Sequence, residues 1–448
     1  MRYIVHHQYT ALAGVCAATA IIWCASYDYR KKEVMAKIVI IAMLIFALWI
    51  RKQMFFASLP LLVLSTLKVT LLKNDTLSER HDRLHRTLPF AAVLVGLIAA
   101  SFISEAIAYS SPEWRSFKAY NKARTDVYDY DNLPDFYENT DFYSVIGLGE
   151  KEYTVLREYD IALVDNVGTK EFNSMAEKAK GLKKQWASYY SVPRKVINET
   201  VAAVNGINAT VLGLLVTLLS FAIMLVFAIK DELFGGILVV CCYLYKWLFI
   251  GYFTYVSRMP ERIVHGFLFM ELCFLISMLI SMLDFEGAKK SFSLAWQIIA
   301  AALMLGLLLT QGLYSFRTLM DESSIKTEAA IAWDEINAYF KSAPDNVYII
   351  NTAIGAASPA KMFSKHSTEA FNAIKPGNWT LSSPLESMHE ARIIEGTAYE
   401  AFLTSENVYY VLDENKGPEW LSDFFGEVDE ADRFTISSGK SFVVYKKK

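Results

Sequence analysis

The chain has 448 residues, of which 54% are hydrophobic, and its formal net charge is −3. This composition is too apolar for an ordinary soluble protein and indicates a multi-span membrane protein with soluble parts. The nearly balanced charge excludes a global basic field for nucleic acid. All five cysteines lie in apolar runs and none has zinc-ligand spacing, so we expect neither disulfides in soluble loops nor a metal.

Eight apolar runs are long enough to cross about 30 Å of hydrocarbon. They are Thr10–Tyr27, Val34–Ile50, Met54–Leu72, Leu88–Ala108, Ala209–Ile229, Leu233–Val256, Ile263–Leu283 and Ser293–Tyr314. The predicted fold is therefore an α-helical polytopic membrane protein with a helical extramembrane insert and a small C-terminal α/β domain. Its predicted regions are four spans in 1–109, the insert in 110–208, four spans in 209–317 and the α/β domain in 318–448.

Alternating spans place the N-terminus, the Ser110–Asn208 insert, the Ser257–Arg262 turn and the C-terminal tail on one side of the membrane. The short loops of the other side carry eleven lysines and arginines, against five in the short segments of the shared side. Because positive charge favours the inner side, we expect a plasma-membrane protein whose soluble segments are extracytoplasmic. The inverted orientation stays open, because further basic residues flank spans on the shared side.

The insert is acidic and rich in tyrosine. Between Thr125 and Asp165, eleven carboxylates face two basic side chains, and eight aromatic residues lie among them. One interpretation is a solvated acidic face. The other is a sugar site, in which rings cover C–H faces and carboxylates accept hydroxyl hydrogens. For the second we single out Asp126, Asp129 and Asp131 as candidate catalytic bases, and Tyr128, Tyr130 and Tyr137 as sugar-facing aromatics.

Four helices are predicted in the insert. Trp114, Phe117, Tyr120, Ala123 and Val127 form one apolar stripe, which ends at Asn132-Leu133-Pro134. Further helices are expected from Asn139 and from Gly149. Thr169–Tyr190 is a basic amphipathic stretch, which could lie on anionic headgroups or pack against the domain.

The tail shows a helix followed by a strand twice. Ser323–Lys341 precedes Val347–Asn351, and Ala398–Leu403 precedes Val408–Leu412, which predicts a partly parallel sheet. Phe434–Ile436 and Phe442–Tyr445, joined through Ser438-Gly439, predict a closing hairpin. No phosphate-binding glycine motif follows either strand, so we expect no cofactor.

Two pairs of charged residues are candidates for binding or stability. Arg258 and Arg262 flank Pro260, and their guanidiniums could bind a lipid phosphate, an arrangement that we call the phosphate grip. The alternative is a charged cap between two spans that contacts lipid headgroups. Lys246 and Glu271 lie at depths in consecutive spans that differ by about 3 Å, which predicts an intramembrane ion pair. This pair could be structural or could line a polar path.

Several stretches resemble a group of multi-span membrane proteins of Gram-positive bacteria that are distantly similar to GT-C glycosyltransferases. They are Phe117–Tyr130, Leu133–Tyr137, Phe142–Gly147, Glu150–Tyr153, Ser405–Leu412 and Phe442–Tyr445. The resemblance implies an enzyme that uses a lipid-phosphate sugar donor outside the membrane and ends in a soluble domain. GT-C enzymes usually carry the acidic loop after the first span, whereas here it follows the fourth, so no catalytic residue is transferred by the resemblance.

The sequence thus leads to three functional hypotheses. The first is cell-surface glycan assembly, with a polyprenyl-phosphate-linked sugar and other proteins of that process as partners. The second is a non-enzymatic membrane scaffold or sensor that binds protein partners or wall polymer. The third is a transporter that uses Lys246 and Glu271.

Overall fold

The computed structural model describes residues 9–26, 34–71, 77–186, 191–229, 233–255, 261–283, 328–355, 370–377 and 379–448, with four single positions between 313 and 320. The chain divides into two compact units. The first combines 1–107 with 189–319, and the second combines 108–188 with 320–448. We call them the membrane unit and the soluble unit.

The described chain is mostly helical. Its helices are α1 (Tyr9–Ser26), α2 (Val34–Ile50), α3 (Lys52–Leu71), α4 (Leu77–Ala108), α5 (Pro112–Thr125), a π-helix (Asp126–Asp131), α6 (Thr140–Val145), α7 (Glu150–Arg157), a 3₁₀ turn (Ile161–Leu163), α8 (Thr169–Trp186), α9 (Ser191–Ala209), α10 (Val211–Ile229), α11 (Leu233–Tyr255), α12 (Glu261–Leu283), α13 (328–342), α14 (Thr352–Gly355), α15 (Pro384–Ile393), α16 (Ala398–Thr404) and α17 (Glu419–Phe425). The strands are β1 (Val347–Ile350), β2 (Ala373–Ile374), β3 (Val408–Asp413), β4 (Val428–Thr435) and β5 (Ser441–Lys447).

Three described helices are long and apolar enough to cross a membrane, and they contain Leu88–Ala108, Leu212–Ile229 and Leu233–Tyr255. Leu12–Ala25, Met35–Ile50 and Ile263–Leu279 are shorter apolar helices. The prediction of eight spans is therefore not supported: among the described residues three helices qualify as candidate spans, because the other described apolar helices are shorter. The third predicted run forms most of α3, which contains Pro60 and ends near Lys68, and nearly all of the eighth run lies outside the described residues.

The N-terminal parts of helices α1, α3 and α12 lie side by side, and so do their C-terminal parts. A Cβ atom on Gly14 of α1 would lie 3.0 Å from the Cα atom of Gly266 in α12, so the two backbones touch where small residues allow it. At the other end, the buried Lys68 ammonium of α3 donates to the carbonyl oxygen of Ala25 at 3.0 Å and to that of Ser277. The three helices therefore run parallel.

The sheet of the soluble unit has the order β2-β1-β3-β5-β4. β1 pairs in parallel with β2 and β3, and Val347 lies opposite Val408. β5 pairs antiparallel with β3 and β4. The predicted partly parallel sheet and the closing hairpin are therefore confirmed, and β4 begins earlier than predicted, at Val428.

Both faces of this sheet are covered. On one face, Ile349 and Tyr410 share a core with Tyr120, Tyr143 and Phe172 of the insert. On the other face, side chains of α13 pack on the sheet, among them Trp333 and Phe340. The insert and the tail, which the sequence presented as separate regions, form one unit around one sheet.

Capping hydrogen bonds fix where two of the insert helices begin. Ser111 caps α5 by accepting a hydrogen bond from the Trp114 amide at 3.4 Å, and Pro112 occupies the first turn. The Glu152 carboxylate accepts from the Gly149 amide at 2.9 Å at the start of α7. Phe172 and Met175 of α8 are fully buried in the soluble unit, so the described part of this basic helix packs against the domain.

Candidate functional site

The three predicted catalytic carboxylates share one unusual element. Residues Asp126–Asp131 continue α5 as a π-helix, a wide turn that is rare and is frequent at functional sites. Asp126 forms an ion pair with Lys180 of α8 at 3.8 Å, and Asp129 is half-buried. The backbone of Asp131 ends the π-helix, and its side chain lies outside the described part.

The three predicted sugar-facing tyrosines differ in their surroundings. Tyr130 and Tyr137 are 43% and 69% exposed, and the Tyr137 hydroxyl donates to Glu150 Oε1 at 2.6 Å. That hydrogen bond and the Glu150 charge raise the pKa of Tyr137. Tyr128 instead donates its hydroxyl to the Leu156 carbonyl at 2.8 Å. It therefore holds the insert together, and Tyr130 and Tyr137 are the two that face solvent.

A buried cation lies one turn before the π-helix. Arg124 is fully buried, and its guanidinium donates to Asn121 Oδ1 at 2.6 Å. The ring centre of Trp379 lies 4.8 Å from the guanidinium carbon, a distance typical of a cation–π interaction. Because Trp379 belongs to the tail, this contact joins the two stretches of the soluble unit.

Tyr120 precedes Arg124 by one helical turn and faces α15. Burial raises the pKa of the Tyr120 hydroxyl to about 12, while Arg124 and a hydrogen bond from Ser382 lower it and Glu390 raises it slightly. Burial, followed by the charge of Glu386, raises the pKa of Glu390 itself to about 7. Carboxyl groups that titrate near neutral pH are typical of acid–base sites.

Residues with a strained backbone lie next to the π-helix and Tyr120. Within the described residues, three non-glycine positions have positive φ: Asn132 (64°), Tyr159 (69°) and Ser382 (62°). Asn132 ends the π-helix, the Tyr159 ring contacts Tyr128 at 4.6 Å between centroids, and Ser382 bonds Tyr120. A bulky residue in this conformation costs about 1–2 kcal/mol, and such strain tends to lie at functional sites.

We call Tyr120, Arg124, Tyr159, Trp379 and Glu390 the Arg124 cluster. Arg124 lowers the pKa of Tyr159, which burial raises, so Tyr159 belongs to the same electrostatic neighbourhood. Sequence reasoning missed all five as site residues. The one signal it offered was Arg124, a charged residue at the spacing of the apolar stripe between Tyr120 and Val127.

Next to the cluster, Asp160 is the centre of a buried network. Its Oδ1 accepts from the Thr352 amide at 2.8 Å, and its Oδ2 accepts from Asn351 Nδ2 at 2.7 Å and from the Tyr410 hydroxyl. Burial raises the pKa of Asp160, although the hydrogen bonds oppose the shift. Since Asn351 directly follows β1, the network ties the insert to the carboxyl end of this parallel strand and holds the strained Tyr159.

Replacing Gly377 with alanine is expected to destabilise the soluble unit by about 2–3 kcal/mol, because overpacking forces the backbone to move. The new Cβ would overlap the Tyr159 carbonyl oxygen and the Thr352 hydroxyl. Thermal unfolding of the purified protein measures this. Gly181→Ala is the control, since its Cβ meets nothing within 4 Å, and equal melting of the two variants would contradict the expectation.

In the membrane unit, the Lys246 ammonium lies 3.3 Å from Glu271 Oε1, and both side chains are 0% exposed. This is the ion pair that the spacing predicted. Arg258 lies outside the described residues, and Arg262 belongs to α12 with its side chain also outside the description. The phosphate grip therefore stays a prediction. Within the described ranges, no group of three or more His, Cys, Asp or Glu side chains could hold a metal.

Comparison of the chain with protein-family models, with curated proteins and with solved structures found no match.

Proposed function

We propose that the chain is an integral membrane enzyme of cell-surface glycan assembly, which transfers a sugar from a polyprenyl-phosphate carrier to an acceptor hydroxyl. The observation that carries this proposal is the π-helix with its three aspartates, Asp126, Asp129 and Asp131. The same element contains Tyr130, which is exposed. Carboxylates and aromatic faces together suit a ligand with many hydroxyls.

The proposal includes a multi-pass topology with eight spans and an extracytoplasmic soluble unit. The three candidate spans support membrane insertion. The parallel course of α1, α3 and α12 supports alternation, because these helices contain the first, third and seventh predicted runs. The excess of basic residues in the opposite loops favours the outside location of the soluble unit.

In this reaction the lipid phosphate is both an anchor and a leaving group. Arg258 and Arg262 would hold it at headgroup level, since guanidiniums bind phosphate with two parallel hydrogen bonds. A carboxylate of the soluble unit would accept the proton of the acceptor hydroxyl. The scaffold hypothesis needs neither the phosphate grip nor a proton acceptor, which makes the two hypotheses separable.

The phosphate grip gives the test. We expect the purified protein to bind polyprenyl-phosphate glucose, and Arg258→Lys or Arg262→Lys to weaken binding at least tenfold. Lysine keeps the charge but loses the fork, and each charge-assisted contact is worth about 1.5–3 kcal/mol. Isothermal titration in detergent measures the affinities. Polyprenol without phosphate is the ligand control. Equal affinities of wild type and variants, or no binding to wild type, would favour the scaffold.

A further inference from the structure

We propose that Glu390, rather than an aspartate of the π-helix, accepts the proton of the acceptor hydroxyl, so that the Arg124 cluster is the reaction site of the soluble unit. This inference rests on the proposed transferase function. It assigns a catalytic role to α15, to which the sequence gave none.

The first support is the way in which the cluster is assembled. Tyr120 and Arg124 are four residues apart in α5 and so lie on one face of the helix. Trp379 covers Arg124 on that face, and Ser382 bonds the Tyr120 hydroxyl. The segment that carries these contacts leads directly into α15, where Glu390 lies near Tyr120. One turn of α5 thus holds a cation and a phenol side by side, and the phenol faces the helix that carries Glu390.

The second support is the state of the Glu390 carboxyl. Its Oε1 atom is buried and has no hydrogen-bond partner among the described residues. Buried polar atoms in folded proteins are almost always bonded, and an exception calls for an explanation such as a catalytic role. The Oε1 atom itself is shielded from solvent while the residue as a whole is half-buried, so a ligand hydroxyl would reach the carboxyl through its other oxygen, Oε2.

The neighbouring carboxylates are less suitable. Asp126 is paired with Lys180, so its carboxylate is already engaged by a cation. Asp160 is fully buried, and both of its oxygens accept hydrogen bonds from the protein. Glu386, four residues before Glu390, accepts from the Thr380 hydroxyl at 2.9 Å. Of these four carboxyls, Glu390 is the one with a buried oxygen that has no hydrogen-bond partner among the described residues.

Trp379 adds a surface for the sugar. Its ring is 55% exposed although one side rests on the Arg124 guanidinium. Indole faces pack against the C–H face of sugar rings and bury apolar area. A hydroxyl-bearing ligand stacked there would lie on the segment that leads into α15.

The proposed sugar transfer forms one bond and breaks one bond. The acceptor oxygen forms a bond to the anomeric carbon of the sugar, and the bond from that carbon to the phosphate oxygen breaks. The lipid phosphate leaves with the electron pair of that bond and gains one negative charge. The acceptor proton passes to the Glu390 carboxylate, which becomes neutral. Total charge is unchanged, and no oxidant or reductant is needed.

This role makes a pH profile the decisive readout. Only the ionised carboxylate can accept a proton, and burial places the pKa of Glu390 at about 7. The transfer rate should therefore fall about tenfold per pH unit below neutrality and level off above it. Removing the neighbouring Glu386 charge lowers the pKa of Glu390, so Glu386→Gln should move the inflection to lower pH and keep the plateau rate.

The experiment uses full-length protein in membranes of the producing cell, which contain the acceptor. Transfer of radiolabelled sugar from polyprenyl-phosphate glucose to polymer is followed between pH 5 and 9. Wild type, Glu390→Gln, Glu390→Asp and Glu386→Gln are compared. Glu395→Gln, an exposed position just beyond α15, is the matched control and should behave as wild type.

We expect Glu390→Gln to lose at least 100-fold in rate and to lose the inflection near pH 7, with partial recovery in Glu390→Asp. If wild type transfers sugar and Glu390→Gln keeps both the rate and the inflection, Glu390 is not the proton acceptor, although the transferase function stands. If wild type transfers no sugar, the function and the role of Glu390 fall together.

A stability measurement checks the ionisation of Glu390 without any substrate. A carboxyl whose folded pKa lies above its unfolded value favours the folded state at low pH, and this advantage disappears as the pH rises towards about 7. Glutamine does not titrate. The melting temperature of Glu390→Gln relative to wild type should therefore be higher at pH 8 than at pH 5. An unchanged difference would show that Glu390 does not titrate in this range and would overturn the proposal.

Discussion

Replacing Lys246 with methionine is expected to destabilise the membrane unit by about 3–5 kcal/mol, because Glu271 is left as an uncompensated charge in an apolar core. Both side chains are completely buried, and their charged atoms are 3.3 Å apart. Within the described residues, neither Glu271 oxygen has a further hydrogen-bond partner, so nothing else offsets the loss. Thermal or denaturant unfolding in detergent measures the effect.

The double variant Lys246→Met with Glu271→Gln should recover much of this loss, since no charge then remains in the core. The partly exposed pair of Lys52 and Glu105 in the same unit provides the control. Lys52→Met should cost less than about 1 kcal/mol, as expected for a solvated pair. Losses that simply add in the double variant would show that Lys246 and Glu271 do not interact.

Asp160→Ala should destabilise the soluble unit by about 3–5 kcal/mol. Three buried donors, from Asn351, Thr352 and Tyr410, would lose their shared acceptor, and unsatisfied buried donors cost about 1–3 kcal/mol each. Tyr410→Phe removes one donor and keeps the acceptor, so it should cost clearly less. Unfolding followed by far-ultraviolet circular dichroism measures both.

The control for this series is Asp141→Ala, an exposed carboxylate in the first turn of α6. It should change stability by less than about 1 kcal/mol. If Asp160→Ala unfolds like Asp141→Ala, the network around Asp160 contributes no net stability and the strained Tyr159 is held by other contacts.

Local patterns carried most of what the sequence predicted correctly. β1 and β3 each follow a helix and consist of buried apolar residues, and Ser438-Gly439 lies between β4 and β5, where Gly439 has φ +83°. These features depend on neighbouring residues alone. The meeting of Lys246 and Glu271 was also predictable, because the short stretch of sequence between two helices fixes the relative depth of their residues.

The Arg124 cluster and the Asp160 network were not predictable in the same way. Arg124 and Trp379 are 255 residues apart, and Asp160 and Asn351 are 191 apart. No periodicity in a single sequence indicates which of eleven neighbouring carboxylates becomes buried. The π-helix was missed as well, because the stripe from Tyr120 to Val127 fits an ordinary α-helix equally well.

The shared core of the insert and the tail constrains how the chain is made. The two stretches are separated by about 130 residues of the membrane unit, which at 5–20 residues per second take roughly 7–26 seconds to synthesise. During that time the apolar face of the insert is not yet covered by the sheet of the tail. On the proposed topology both stretches lie on one side of the membrane, so the chain between them crosses the bilayer an even number of times. An insertion error that added or removed a single crossing would then separate the two halves of this unit across the membrane, and assembly of the unit would report correct topology.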